Sequence, residues 1–330
     1  MGREGRPPNA MTTEMTDVAA QSQRVLEEIE QAVLGKHELL AQLLTALLAD
    51  GHVLLEDYPG LAKTLIAQSF ATVLGLRFKR IQFTPDLLPG DITGGYVYDR
   101  KSGDFVLHEG PIFANVVLAD EINRASPKTQ AALLEAMQER QVTLEGETRP
   151  LPEPFIVIAT QNPIEYEGTF PLPEAQLDRF LVKLGVGYPS PDAEREMLQR
   201  RRERRMDKFN LHPVLSGDDL LSLRQSIEDV HVDPDIERYI VDLVGRTRSD
   251  SRVAVGASPR GSLALLKLGR AQAALDGRSF VLPDDVKAYA IPALAHRLVL
   301  EPDLWMVQNA ANDVINACLN GIAVPVIDAG

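Results

Sequence analysis

Apolar residues along this chain fall into two rhythms. Residues 53–55 (VLL), 115–119 (NVVLA), 155–159 (FIVIA) and 181–186 (LVKLGV) are short apolar runs, the form strands take when both faces of a parallel sheet are covered. Leu39, Leu40, Leu43, Leu44, Leu47 and Leu48 instead recur at helical spacing and stop at Asp50-Gly51. Strands alternating with helices predict an α/β fold with a mostly parallel sheet. Residues 95–107, with tyrosines and a glycine-containing turn, and residues 141–151 suit two β-hairpins. At Pro189-Ser190-Pro191 the rhythm changes. Beyond it, 194–205, 220–226, 234–246, 262–274 and 283–298 read as helices with almost no strand signal. The reading is therefore a first domain over 23–190 and a helical second domain over 191–330. Residues 1–22 are polar and without period, which predicts a mobile tail.

The chemistry begins where the first strand run breaks. Residues 53–64 read VLLEDYPGLAKT, so Pro59-Gly60 and Leu61-Ala62 lead into Lys63-Thr64 and a helix through Leu65. This is a phosphate-binding loop with departures: G-x-x-x-x-G-K-[ST] asks for glycine where Asp57 and Ala62 stand. Strand, loop and helix N-terminus still form an anion site, because the first turn of a helix offers unpaired N–H groups and partial positive charge. An ordinary turn before a surface helix has the same outline. With Gly60 supplying the backbone freedom, Asp57 is expected to point away from the phosphates.

Three further positions extend the pattern. Residues 116–121 (VVLADE) run as an apolar strand into Asp120 and Glu121, placed to hold Mg²⁺ and to polarise an attacking water. Residues 155–159 run into Asn162, which could orient that water, although Asn-Pro also makes turns unaided. Arg179 precedes another strand beside Asp178, which would serve equally as its surface salt-bridge partner, and Arg260 opens a helix of the second domain. In a ring-forming ATPase, such an arginine meets charge that develops on a neighbour's γ-phosphate.

Composition narrows the class. A formal charge of −13, from 34 basic and 47 acidic residues among 330, argues against a sequence-independent grip on nucleic acid. The dense basic run 195–208 has interspersed glutamates and no aromatics for base stacking, so it reads as a solvated helix face. The single cysteine, Cys318, excludes an internal disulfide, and the six histidines lack paired metal spacing. No apolar run approaches the ~20 residues of a membrane helix, so stable membrane insertion is not expected and a reducing cytoplasm is.

Taken in order, DYPGLAKT, VVLADEINRASPKTQAALLEAMQERQVT, ATQNP, LPEAQLDRF and ASPRG resemble the MoxR family of AAA+ ATPases, in the clade with a hairpin inserted in helix 2. RIQFTPDLLPGDITG (80–94) and HEGPIF (108–113) strengthen the resemblance, which covers about residues 24–327. It implies an AAA+ P-loop core with a five-stranded, mostly parallel sheet and an all-helical lid. It implies ATP and Mg²⁺ as cofactors, with residues Pro59, Gly60, Leu61, Ala62, Lys63, Thr64 and Leu65 around the phosphates. Thr64 and Asp120 would hold the metal; Asp120-Glu121 match Walker B and Asn162 matches sensor 1. Arg179 matches the arginine finger, and Arg260 matches sensor 2, in its own or a neighbour's site. Residues 33–36 stand where such proteins contact adenine, with Lys36 where glutamine is commoner. The resemblance further implies a hexameric ring whose hairpins face the channel, and a chaperone role toward a protein client such as a von Willebrand factor A-domain protein. A nucleotide-gated adaptor with incidental turnover is the alternative, and a nucleic-acid motor a weaker one.

Overall fold

The computed structural model describes residues 8–56, 58, 60–101, 103–162 and 168–326, with side chains from Met15 onward. Asp57 and Pro59, expected at the phosphate loop, lie outside the described residues.

The first half of the chain runs α1 (Pro8–Glu30), α2 (His37–Leu48), β1 (Val53–Glu56), α3 (Lys63–Val73), β2 (Phe78–Gln82) and α4 (Pro89–Thr93). A hairpin β3 (Gly94–Asp99) and β4 (Asp104–Glu109) follows, then β5 (Val116–Asp120) and α5 (Pro127–Glu139). A second hairpin, β6 (Gln141–Leu144) and β7 (Glu147–Pro150), leads to β8 (Ile156–Gln161), α6 (Glu174–Leu177) and β9 (Val182–Gly185). Beyond come α7 (Pro191–Arg204), α8 (Gly217–Ile227), α9 (Pro234–Thr247), β10 (Val253–Val255) and α10 (Pro259–Leu275). The chain closes with α11 (Pro283–Leu294), β11 (Val299–Leu300) and α12 (Ala310–Asn320).

Five parallel strands form the central sheet in the order β2-β5-β8-β1-β9. Period-two alternation sorts their side chains between two cores. Val53, Leu55, Val116, Leu118, Ile156, Ile158, Val182 and Leu184 face the core that α1, α2, α3 and the lid helices share. Leu54, Val117, Ala119, Val157 and Ala159 face α5 and the hairpin side. All five residues of β5 are buried, which is why this strand was legible as an unbroken apolar run. β2 was not legible: its residues are Phe-Lys-Arg-Ile-Gln, and only Ile81 is buried, because an edge strand is covered incompletely.

The N-terminal region departs from expectation. Residues 8–22 are helical, not a tail, and Met15, Val18, Ser22, Val25, Leu26 and Ile29 line one buried stripe of α1. The stripe is narrow and interrupted by polar residues, so it carries little apolar signal. α1 packs on α3 of the first domain and on α8 and α10 of the lid, which joins the two.

The lid is helical except for a two-stranded antiparallel ribbon in which Val253 pairs with Leu300 and Val255 with Val299, with a bulge between. α7 starts at Pro191, and the Ser190 hydroxyl accepts the Ala193 N–H at 3.2 Å. Both hairpins have the expected positions. They are tied together: the Tyr96 hydroxyl donates to Glu147 Oε2 at 2.8 Å and accepts from Arg149 at 3.0 Å. At the base of the first hairpin, Gly94 has φ +78°, and a Cβ there would stand 2.1 Å from the His108 carbonyl oxygen. Glycine is required by both conformation and space.

Candidate active site

Parallel sheets present ligand crevices at the carboxyl ends of their strands. β1, β5 and β8 are adjacent, so the residues after each strand meet. They enclose a cavity of about 470 Å³ lined by Gly60, Leu61, Ala62, Lys63, Thr64, Leu65, Arg80, Asp120, Glu121 and Asn162. Of the expected nucleotide residues, Lys63, Thr64, Asp120, Glu121 and Asn162 therefore share one cavity, although they span a hundred positions of sequence.

The loop reaches the helix by two left-handed residues. Gly60 has φ +85° and Ala62, the cap of α3, has φ +59°. A left-handed alanine costs roughly 1 kcal/mol or more; here it turns the chain so that Lys63 and Thr64 become the first helical residues, in the turn that carries the positive end of the helix dipole. Ala62 thus holds a conformation that suits the glycine of the motif.

The carboxylates are held from several sides. Asp120 Oδ1 accepts from the Thr160 hydroxyl at 2.6 Å. Its Oδ2 carries the Arg80 guanidinium, with Nε at 3.0 Å and the terminal nitrogen at 2.8 Å. Glu121 is also left-handed, at φ +57°, and its N–H donates to the Thr160 hydroxyl at 2.8 Å. Gln82 donates to Glu121 Oε2 at 2.8 Å, and Arg124 donates to the same oxygen at 3.1 Å. Arg80 also donates to the Gln82 amide oxygen, so Gln82 links the two carboxylate centres. Asn162 is buried at the end of β8.

Arg80, Gln82, Arg124 and Thr160 were not singled out from sequence. Alternation along β2 puts Arg80 and Gln82 on one face, a signal that becomes readable only once β2 is known to pair with β5.

A second cavity of about 410 Å³ adjoins the first, walled mainly by Val33, Leu34, Leu61, Ile66, Met197 and Leu198. Lys36 lines it but directs its ammonium to three successive carbonyls, those of Val186, Gly187 and Tyr188, at 2.8, 2.8 and 2.9 Å. These residues connect β9 to α7, so Lys36 braces the link between sheet and lid.

The two arginines lie elsewhere. Arg179 is half-buried; it donates to the Leu134 carbonyl of α5, while its Nε is buried without a partner. Arg260 is half-exposed, 3.8 Å from Asp178 Oδ2. Neither lines the phosphate cavity of its own chain. Asp178 is bound by the buried Arg297, whose Nε donates at 2.7 Å, and by the Ser258 hydroxyl at 3.2 Å. Arg260 thus stands at the lid junction around Asp178, whereas Arg179 faces α5.

Comparison with known proteins bears on the fold that carries this cavity. Residues 52–182 match the family model described as ATPase family associated with various cellular activities (AAA), and residues 245–317 match an AAA lid domain. The chain is 45% identical over 316 residues to the chaperone MoxR1 of Mycobacterium tuberculosis, covering 93% of this chain and 83% of that one. The chain belongs to the MoxR family of AAA+ ATPases. Among other MoxR relatives, protein MoxR of Methylorubrum extorquens is 32% identical, across 97% of this chain and 99% of its own. The uncharacterized protein YeaC of Bacillus subtilis is 48% identical, across 92% and 94%. A crystal structure of a protein from Cytophaga hutchinsonii superposes with a TM-score of 0.88 at 37% identity, covering 96% of this chain and 99% of that one. Among the described residues, no helix is long and apolar enough to cross a membrane.

Proposed function

We propose that this MoxR-family protein hydrolyses ATP with Mg²⁺ in a cytoplasmic, hexameric ring and uses the turnover to remodel a protein client. The observation that carries the reading is the convergence of Lys63, Thr64, Asp120, Glu121 and Asn162 on one cavity at a helix N-terminus. The amides of Gly60 to Leu65 and the Lys63 ammonium bind the polyphosphate. Thr64 and Asp120 supply hard oxygen donors, which suit Mg²⁺. That metal would neutralise charge developing on the phosphates.

Glu121 acts as the base toward water, with Gln82 and Arg124 orienting it through a single oxygen. Asn162 positions the water. Arg179, together with Arg260, completes the pocket of the adjacent copy, which is consistent with both lying outside their own cavity. The client is protein, and a von Willebrand factor A-domain partner fits the family pattern. The exposed Val97, Tyr98 and Phe105 of the first hairpin offer an apolar contact for it, whereas the acidic chain disfavours nucleic acid.

Binding of a fluorescent ATP analogue and steady-state phosphate release test the enzyme. Lys63→Ala is expected to abolish binding, and Glu121→Gln to bind without turnover. Equal turnover in wild type and Glu121→Gln would refute the reading.

A further inference from the structure

Arg80 lines the phosphate cavity beside Lys63, yet the cycle described above gives it no task. Its position is specific. It stands on β2, whose pairing with β5 sets Arg80 opposite Leu118 and brings its side chain to Asp120, 40 positions away in sequence. Two of its nitrogens converge on Oδ2 of Asp120, while Thr160 occupies Oδ1. The oxygen that Thr160 leaves for a cation is thus already bound by one. The Arg80 side chain is 48% exposed, so the guanidinium has room to leave.

Charge explains why a cation belongs there. Arg124 pairs with Glu121 from outside the cavity lining, whereas Asp120 pairs with Arg80; without it the Asp120 carboxylate would face and repel a polyphosphate. Arginine stays charged at all physiological pH values and presents a planar fork that suits a carboxylate and a phosphate equally.

We propose that Arg80 is a stand-in for the metal: it neutralises Asp120 in the nucleotide-free site, yields Oδ2 to Mg²⁺, and transfers its charge to the terminal phosphate bound in its own chain. The inference rests on reading Asp120 as a metal ligand, and it adds a phosphate-binding arginine in cis to those offered by a neighbour. Because β2 is anchored by its ladder to β5, the transfer needs only side-chain rotation.

Two measurements on the full chain test it, with circular dichroism confirming that each variant folds. Mn²⁺ titration of nucleotide-free protein, read from the paramagnetic signal of the free ion, is expected to give about fivefold or greater tightening in Arg80→Gln, because a competing charge is gone. Arg80→Lys, which keeps the charge, is expected to stay near wild type. With Mg²⁺ saturating, the ratio of fluorescent ATP to ADP affinity is expected to fall about tenfold in Arg80→Gln. Unchanged or weakened Mn²⁺ binding would overturn the stand-in role and make Arg80 a brace for Asp120; an unaltered ATP to ADP ratio would overturn the transfer. If wild-type protein binds no ATP analogue, the nucleotide reading itself fails. If it binds and Lys63→Ala does not, a wrong sign in the Arg80 variants condemns only this inference.

Discussion

Arg297 supplies the sharpest energetic prediction, because its side chain is only 3% exposed and carries its charge between lid and sheet domain. Nε donates to Asp178 Oδ1 at 2.7 Å; the terminal nitrogens reach the carbonyls of Phe180 at 2.8 Å and Leu181 at 3.3 Å, and also that of Ala293. Burial pulls the guanidinium pKa down, with Asp178 opposing, so the pair survives only because partners surround it. Replacing it with an apolar residue of similar length, Arg297→Met, takes the donor from Asp178 Oδ1 and from several carbonyls, leaving the carboxylate only Ser258 and the more distant Arg260 on Oδ2. Breaking a buried pair from one side costs roughly 3–5 kcal/mol; water entering beside Asp178, which is 18% exposed, favours the lower figure. Asp178→Asn alone should cost about 1–3 kcal/mol, since an amide still accepts a hydrogen bond. The order of substitution matters. In the Arg297→Met background, Asp178→Asn removes a stranded charge and should cost nothing or restore stability. Urea denaturation of the four proteins closes the cycle. Additive losses, or an Arg297→Met loss below about 1 kcal/mol, would refute the view of this pair as the joint between lid and sheet.

His52 predicts a pH dependence. It is buried, accepts the Val157 N–H at Nδ1 (3.0 Å) and approaches the Met137 carbonyl with Nε2 (3.1 Å). Burial lowers its pKa from 6.5 to about 4, with the Arg140 charge adding to the shift. Its stabilisation is full above the unfolded value and is lost as pH falls from 6.5 toward about 4, by about 3 kcal/mol in all; His52→Gln should flatten the denaturation midpoint across that range, and an equally steep variant would count against it. Ala62→Gly should leave stability unchanged or raise it by up to about 1 kcal/mol, because the relieved left-handed strain exceeds the entropy glycine adds to the unfolded chain; a loss of 1 kcal/mol would mean that Ala62 is not left-handed in solution. Arg179→Ala should be inactive alone and regain partial turnover when mixed with Lys63→Ala, since mixed rings pair an intact pocket with an intact arginine; no rescue at any ratio would make Arg179 structural.

Legibility followed burial. β1, β5 and β8 stood out because parallel strands between two helical layers carry nearly continuous apolar runs, and β9, at one edge, keeps Val182 and Leu184 buried, whereas β2, at the other edge with Lys79 and Arg80 exposed, resembled loop. The start of α1, residues 8–22, was missed for a related reason: its buried stripe of Met15, Val18 and Ser22 is one residue wide and includes a serine. The departures at the phosphate loop were legible as spelling only. That Ala62 takes the glycine-like conformation is a backbone fact that no residue name states.

By itself the sequence determined the cast and its order: Lys63-Thr64 at a helix start, two carboxylates ending an apolar strand, Asn162 ending another, and arginines near a domain boundary. Those are local properties, written in neighbours a few positions apart. Only the tertiary structure decided what each residue faces. The strand order β2-β5-β8-β1-β9 differs from chain order, and so it puts Arg80 on Asp120, Gln82 on Glu121 and Thr160 between the Asp120 carboxylate and the Glu121 amide. Packing of α11 against the sheet gives Asp178 to Arg297 and leaves Arg179 facing α5. Parallel pairing joins residues some 40 positions apart, and the choice of neighbour is made by burial summed over the whole sheet, which no local window contains.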